Sequence, residues 1–98
     1  MSVLSYDVGD VVRMRAVFTV AGVATDPTTV TFKLRLPDGT TQTKVYGTDV
    51  EVVKSATGDY KWEYAPLTEG IYRWRAVGTG AAAAAGDGAF NVVESVFV

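Results

Sequence analysis

Five aromatic residues, Tyr60, Trp62, Tyr64, Tyr72 and Trp74, are the most conspicuous groups in this chain that could engage a ligand. A tryptophan ring left open to solvent stacks on the apolar face of a sugar, so Trp62 and Trp74 are the candidate glycan-stacking residues. The rings alternate with Lys61, Glu63, Arg73 and Arg75, and a strand turns that alternation into one apolar and one charged face. The pattern is then explained by rings packed across a core, where each buries a large apolar area. Arg13, Arg15, Lys33, Arg35, Arg73 and Arg75 alternate with apolar residues in the same way and fall on outward faces. Basic residues interleaved with aromatics can bind single-stranded nucleic acid. Here Glu51, Glu63, Glu69 and the aspartates offset them, and nine basic against eleven acidic residues give a net charge of −2. The expectation is cross-strand ion pairing and no nucleic-acid partner.

The remaining polar groups point away from catalysis. The chain has no histidine and no cysteine, which removes the commonest general base, the thiolate nucleophile and the usual transition-metal ligands. Asp7, Asp10, Asp26, Asp38, Asp49, Asp59 and Asp87 mostly fall in turn sequences, where aspartate ordinarily caps its own backbone. No calcium-loop pattern joins them, and no spacing brings two carboxylates to one cleft. Gly78-Thr79-Gly80 and Gly86-Asp87-Gly88 lack the lysine and helix of a phosphate loop. The expectation is a chain that is not an enzyme, with no catalytic residue, no metal and no cofactor. The C-terminal Val96, Phe97 and Val98 are candidate interaction residues, because exposed apolar residues on a small domain normally pair with something. The alternative is that the last strand runs longer and Phe97 joins the core.

The elements that must position these groups are strands. Val12, Met14, Ala16, Phe18 and Val20 alternate with Arg13, Arg15, Val17 and Thr19, which predicts a strand over 11–20. Val30, Phe32, Leu34 and Leu36 predict a second over 29–36. Pro37-Asp38-Gly39-Thr40 is a tight-turn sequence, returning residues 40–46 antiparallel. A short strand over 50–54 and an aromatic one over 60–64 follow. Residues 66–70 form a corner before a strand over 71–77, and a last strand covers 89–93. The alanine run 81–85 reads as a loop, with a single helical turn as the alternative.

About seven strand signals spaced roughly 8–12 residues apart, with no amphipathic helix, predict an all-β antiparallel sandwich, a small barrel being the alternative. The 98 residues fit one domain, with 1–10 as a lead-in and 94–98 as an apolar tail. The N-terminus lacks the charged and apolar regions of a signal peptide, and no segment has the roughly 18 apolar residues of a membrane span. The chain reads as a complete small gene product made in a cytoplasm, with no membrane insertion.

Gly70 and Tyr72, with Leu67 upstream, resemble the tyrosine corner of immunoglobulin-like sandwiches, in which the ring packs inward and its hydroxyl bonds the preceding corner. More broadly, Gly9-Asp10-Val11-Val12-Arg13, Asp26-Pro27-Thr28-Thr29, Pro37-Asp38-Gly39-Thr40, Gly70-Ile71-Tyr72-Arg73-Trp74-Arg75 and Gly78-Thr79-Gly80 resemble small immunoglobulin-like structural proteins of tailed phages and prophages. The resemblance covers most of the chain. It implies a virion component (a capsid decoration, head-fibre, neck or tail accessory protein) that docks on other virion proteins, as a homo-oligomer or in several copies. A carbohydrate-binding module for cell-surface attachment is the alternative.

Overall fold

The computed structural model describes residues 4–94. The protein is all-β. In chain order its strands are β1 (Leu4–Asp7), β2 (Val12–Val17), β3 (Thr19–Val20), β4 (Val23–Ala24), β5 (Thr29–Arg35), β6 (Thr41–Val45), β7 (Val52–Ala56), β8 (Asp59–Tyr64), β9 (Gly70–Thr79) and β10 (Ala84–Val93). One sheet has the order β1-β10-β9-β5-β6 and a second β2-β8-β7, with β3 and β4 forming a separate ribbon. All pairs are antiparallel except β1 with β10, where Leu4 lies opposite Phe90 and Asp7 opposite Val93.

The alternation in the sequence becomes two inner faces. Val30, Phe32 and Leu34 of β5, Tyr72 and Ala76 of β9, and Phe90 and Val92 of β10 are buried from one sheet; Val12, Met14, Tyr60, Trp62 and Val52 are buried from the other. Aromatic rings bridge the two layers. Tyr72 stacks on Phe90 at 5.0 Å within its own sheet and meets Tyr64 of the second at 6.2 Å. The Tyr72 hydroxyl donates to the Thr68 carbonyl at 2.8 Å, and the Thr68 hydroxyl lies 2.9 Å from it. With the phenolic proton committed to the carbonyl, Thr68 Oγ1 is the donor of the second bond. Gly70 starts β9 at φ +134°, and a Cβ there would fall 2.6 Å from the Pro37 ring.

Four stretches differ from the strands predicted above. The strand over 11–20 is interrupted at Phe18, whose N–H donates to Gly58 O at 2.7 Å and whose carbonyl accepts from Thr25 N at 3.0 Å. Beyond it, Ala21 and Gly22 both take positive φ, +50° and +81°, and fold residues 19–24 into the ribbon. Consecutive positive φ values match the twist of a two-residue hairpin turn, so residues 21–22 connect a hairpin where the sequence suggested only a break. The lead-in contains β1. β7 occupies 52–56 instead of 50–54, with a register shift between Lys54 and Ala56. The final strand begins at Ala84 instead of Ala89, after a 3₁₀ turn at Gly80–Ala82. The ladder explains this last change: β9 is ten residues long and presents partners as far as Gly78, opposite Ala84. Inter-strand pairing outweighs the helix preference of a short alanine run.

Asp26 fastens the loop before β5 to the β7–β8 hairpin. Its carboxylate accepts from Lys54 Nζ at 2.6 Å, Gly58 N at 2.7 Å and Tyr60 Oη at 3.1 Å. The Lys54 bond first, then the Gly58 N–H, hold its carboxyl below the ordinary carboxylate value. Asp59 is lowered the same way, chiefly by Arg15, and Glu51 chiefly by Lys44. A depressed folded value means that the stabilisation is present above the unfolded pKa and is lost as pH falls through the folded one. Urea midpoints are therefore expected to be flat from neutral pH down to about pH 5 and to drop below about pH 4. Asp26→Asn should lower the neutral-pH midpoint and flatten the acid slope. An unchanged slope would remove Asp26 from the acid response.

Candidate functional site

The outer face of the five-stranded sheet follows from the register of β5, β9 and β10. Leu34 and Phe32 point inward, so Lys33 and Arg35 point outward, and on β9 Arg73 and Arg75 flank the inward Trp74. The antiparallel pairing sets Lys33 directly opposite Arg75 and Arg35 directly opposite Arg73. Cβ atoms of directly opposed residues lie roughly 4.5–5.5 Å apart, and like charges there destabilise a sheet. On the far side of β9, β10 answers Arg75 with Asp87, which it pairs at 3.1 Å, but answers Arg73 with Ala89. Among the described residues, Lys33, Arg35 and Arg73 have no carboxylate partner. These side chains, with Arg75, Asp87, Thr41, Trp74, Gly88 and Ala89, surround a depression of about 400 Å³.

The other sheet also sets two cations opposite each other, Arg15 and Lys61, but gives each a carboxylate. Arg15 pairs with Asp59 at 2.8 Å, while Glu63 lies 3.8 Å from Arg13 and 3.3 Å from Lys61. The expected cross-strand ion pairing thus occurs at Arg13, Arg15 and Arg75 and is missing at Lys33, Arg35 and Arg73. Sequence alternation identified all six as outward; it carried no signal that β5 and β9 would be neighbours.

A second surface has the opposite character. Val8, Leu67, Thr68, Glu69 and Glu94 surround a depression of about 340 Å³ at the corner between β8 and β9. Leu67 is 81% exposed. Asp7 and Asp10 flank Val8 in the chain, and Asp10 Oδ2 accepts from Asp7 N at 3.0 Å. None of Asp7, Asp10, Glu69 and Glu94 has a cationic partner among the described residues. Four cations against Asp87 give the residues around that first depression +3, so the rest of a chain of net charge −2 sums to −5.

The residues singled out from the sequence are scattered. Trp62 is 2% exposed on the inner face of β8, with Tyr64 edge-on at 5.8 Å. Trp74 is half-buried, stacked on Phe32 at 6.1 Å. Its ring covers Gly88, where a Cβ would come within 2.5 Å of indole Cε2. It also borders a gap of about 230 Å³ between β2 and β10. Gly70 and Tyr72 form the corner beneath the acidic surface. Val96, Phe97 and Val98 lie outside the described residues. The described residues contain no group of three or more carboxylates placed to hold a metal, and no helix among them is long and apolar enough to cross a membrane. Comparison with known proteins finds no matching family model, no matching curated protein and no matching solved structure.

Proposed function

We propose that this chain is a non-enzymatic docking module of a phage particle, attached to other virion proteins in several copies and built as an immunoglobulin-like sandwich. The strand layout supports the fold assignment. With the β3–β4 ribbon set aside, β2, β8 and β7 take the places of strands B, E and D, and β10, β9, β5 and β6 those of G, F, C and C′. The bond from Tyr72 to Thr68 sits where a tyrosine corner belongs, at the start of strand F. The observation that carries a docking role is the pair of like-charge oppositions on the outer face, Lys33 with Arg75 and Arg35 with Arg73. The second sheet also opposes two cations, Arg15 and Lys61, but pairs each with a carboxylate, whereas Lys33, Arg35 and Arg73 have none among the described residues. A face that keeps unneutralised charge at the expense of stability fits one that is neutralised by a partner.

The virion assignment rests on the resemblance in the turn and strand sequences. It is tested by banding particles from the source strain on a density gradient and probing with an antibody to the chain. The protein is expected in the particle band; its confinement to the soluble fraction would overturn the assignment. The glycan reading is carried by Trp74, whose partly open ring borders the gap between β2 and β10. It requires saturable binding to a host-surface polysaccharide that Trp74→Ala weakens about tenfold or more, as loss of a stacking ring should. Binding that survives Trp74→Ala would eliminate it.

A further inference from the structure

We infer that the cationic depression on the outer face receives the acidic Leu67 corner of a second copy of this chain, in a head-to-tail contact. The inference rests on the docking role proposed above and names its partner.

The two surfaces complement each other in charge. One has Lys33, Arg35, Arg73 and Arg75 around a depression whose β10 side is formed by the small residues Gly88 and Ala89. The other has Asp7, Asp10, Glu69 and Glu94 about a leucine that stands 81% exposed. Among the described residues each set lacks ion-pair partners, apart from the Arg75–Asp87 pair. The exposed Leu67 side chain has an apolar counterpart in Trp74, which lines the other depression, and the acids beside it have their counterpart in the cations there. Guanidinium groups are suited to this role, since each can grip a carboxylate through two parallel hydrogen bonds.

Other occupants fit less well. Two copies could not pair through this face about a two-fold axis, because four cations would meet four cations, and like charges brought together across an interface are strongly unfavourable. A nucleic acid needs a cationic track longer than this one depression, and the rest of the chain sums to −5. A contact between two different surfaces of one chain is heterologous, so it closes into a ring or extends into a filament. Both give the repeated copies that a particle component uses.

The test is sedimentation velocity on the full chain, with one variant for each surface. Lys33→Glu with Arg73→Glu changes the residues around the cationic depression from +3 to −1. It also turns both like-charge oppositions into opposite-charge pairs, so this variant is expected to fold at least as stably as the parent. Glu69→Lys with Glu94→Lys brings the other surface from −4 to 0 at two exposed positions outside the strands. The parent is expected to associate at about 20 mM salt and to dissociate at about 500 mM, where the Debye length has shrunk several-fold. Each variant alone is expected to associate at least about 100-fold more weakly, and an equimolar mixture to form heterodimers, since the intact cationic surface of one variant then meets the intact acidic corner of the other.

A parent that stays monomeric near 1 mM at low salt, a Lys33→Glu/Arg73→Glu variant that associates like the parent, or a mixture that remains monomeric would each overturn the inference. Particle banding separates that failure from failure of the docking role. If the parent does not self-associate but only the Lys33→Glu/Arg73→Glu variant is lost from particles, the face docks and its occupant is another virion protein. If the variant bands like the parent, the face is not the docking surface.

Discussion

Trp62→Ala is expected to lower the stability of the fold at 25 °C by about 3–5 kcal/mol. Trp62 lies in the middle strand of the three-stranded sheet, opposite Met14 on one side and Val52 on the other. Both neighbours are buried with it, so truncation leaves a void walled on two sides by paired strands that cannot collapse without breaking their ladders. A domain of this size has a net stability of about 5–15 kcal/mol, and the loss is a large share of it. Urea unfolding followed by far-ultraviolet circular dichroism measures the change, and Trp62→Phe, which refills most of the space, should recover the greater part. A loss under about 1 kcal/mol would mean that Trp62 is not part of the core and would return it to the glycan-stacking candidates. The same argument governs binding experiments: a sugar-binding defect in Trp62→Ala would report unfolding, whereas Trp74, half-buried at the margin, can be truncated as a test of contact.

The contrast between those two tryptophans marks what a strand sequence can convey. Alternation assigns a side chain to a face, and it assigned Trp62 inward and Lys33, Arg35, Arg73 and Arg75 outward. It does not say which strand lies alongside. Lys33 and Arg75 face each other because β5 and β9, far apart in the chain, pair in one particular register, and a one-residue slip would have changed every opposition. The unneutralised face is therefore a property of the register, invisible in the composition, where positive and negative residues nearly cancel. The Tyr72–Thr68 corner is the reverse case. Its partners are four residues apart, so a short stretch contains the whole geometry. The ribbon and the early start of β10 were hidden for a third reason. Ala21 adopts a positive φ that its residue type does not advertise, and Ala84–Ala85 become strand only because β9 extends far enough to pair with them. Residues 96–98 fall outside the described part of the chain. The docking argument consequently rests on sheet faces and not on the tail.

Gly58→Ala is expected to destabilise the fold by about 3 kcal/mol or more, although it adds a single methyl group. Gly58 has φ +72°, a left-handed conformation that costs a residue with a Cβ about 1–2 kcal/mol. The added Cβ would also fall 2.5 Å from the Phe18 carbonyl oxygen and 3.0 Å from Thr25 N. Those contacts are backbone, so no side chain can swing aside. Moving the Gly58 backbone instead would break its N–H bond to Asp26 and its carbonyl's bond from Phe18 N, both 2.7 Å long. A buried backbone bond lost without replacement costs about 1–3 kcal/mol, which raises the total above the conformational cost alone. Gly39→Ala is the matched control. Gly39 also has a positive φ, +91°, but a Cβ there meets nothing within 4 Å, so it should lose only the conformational part. The difference between the two urea midpoints then isolates the close approach of the Phe18 strand to the β7–β8 turn. Equal losses would show that this junction yields, and that Asp26 and Phe18 do not fix the ribbon to the second sheet as tightly as their bonds imply.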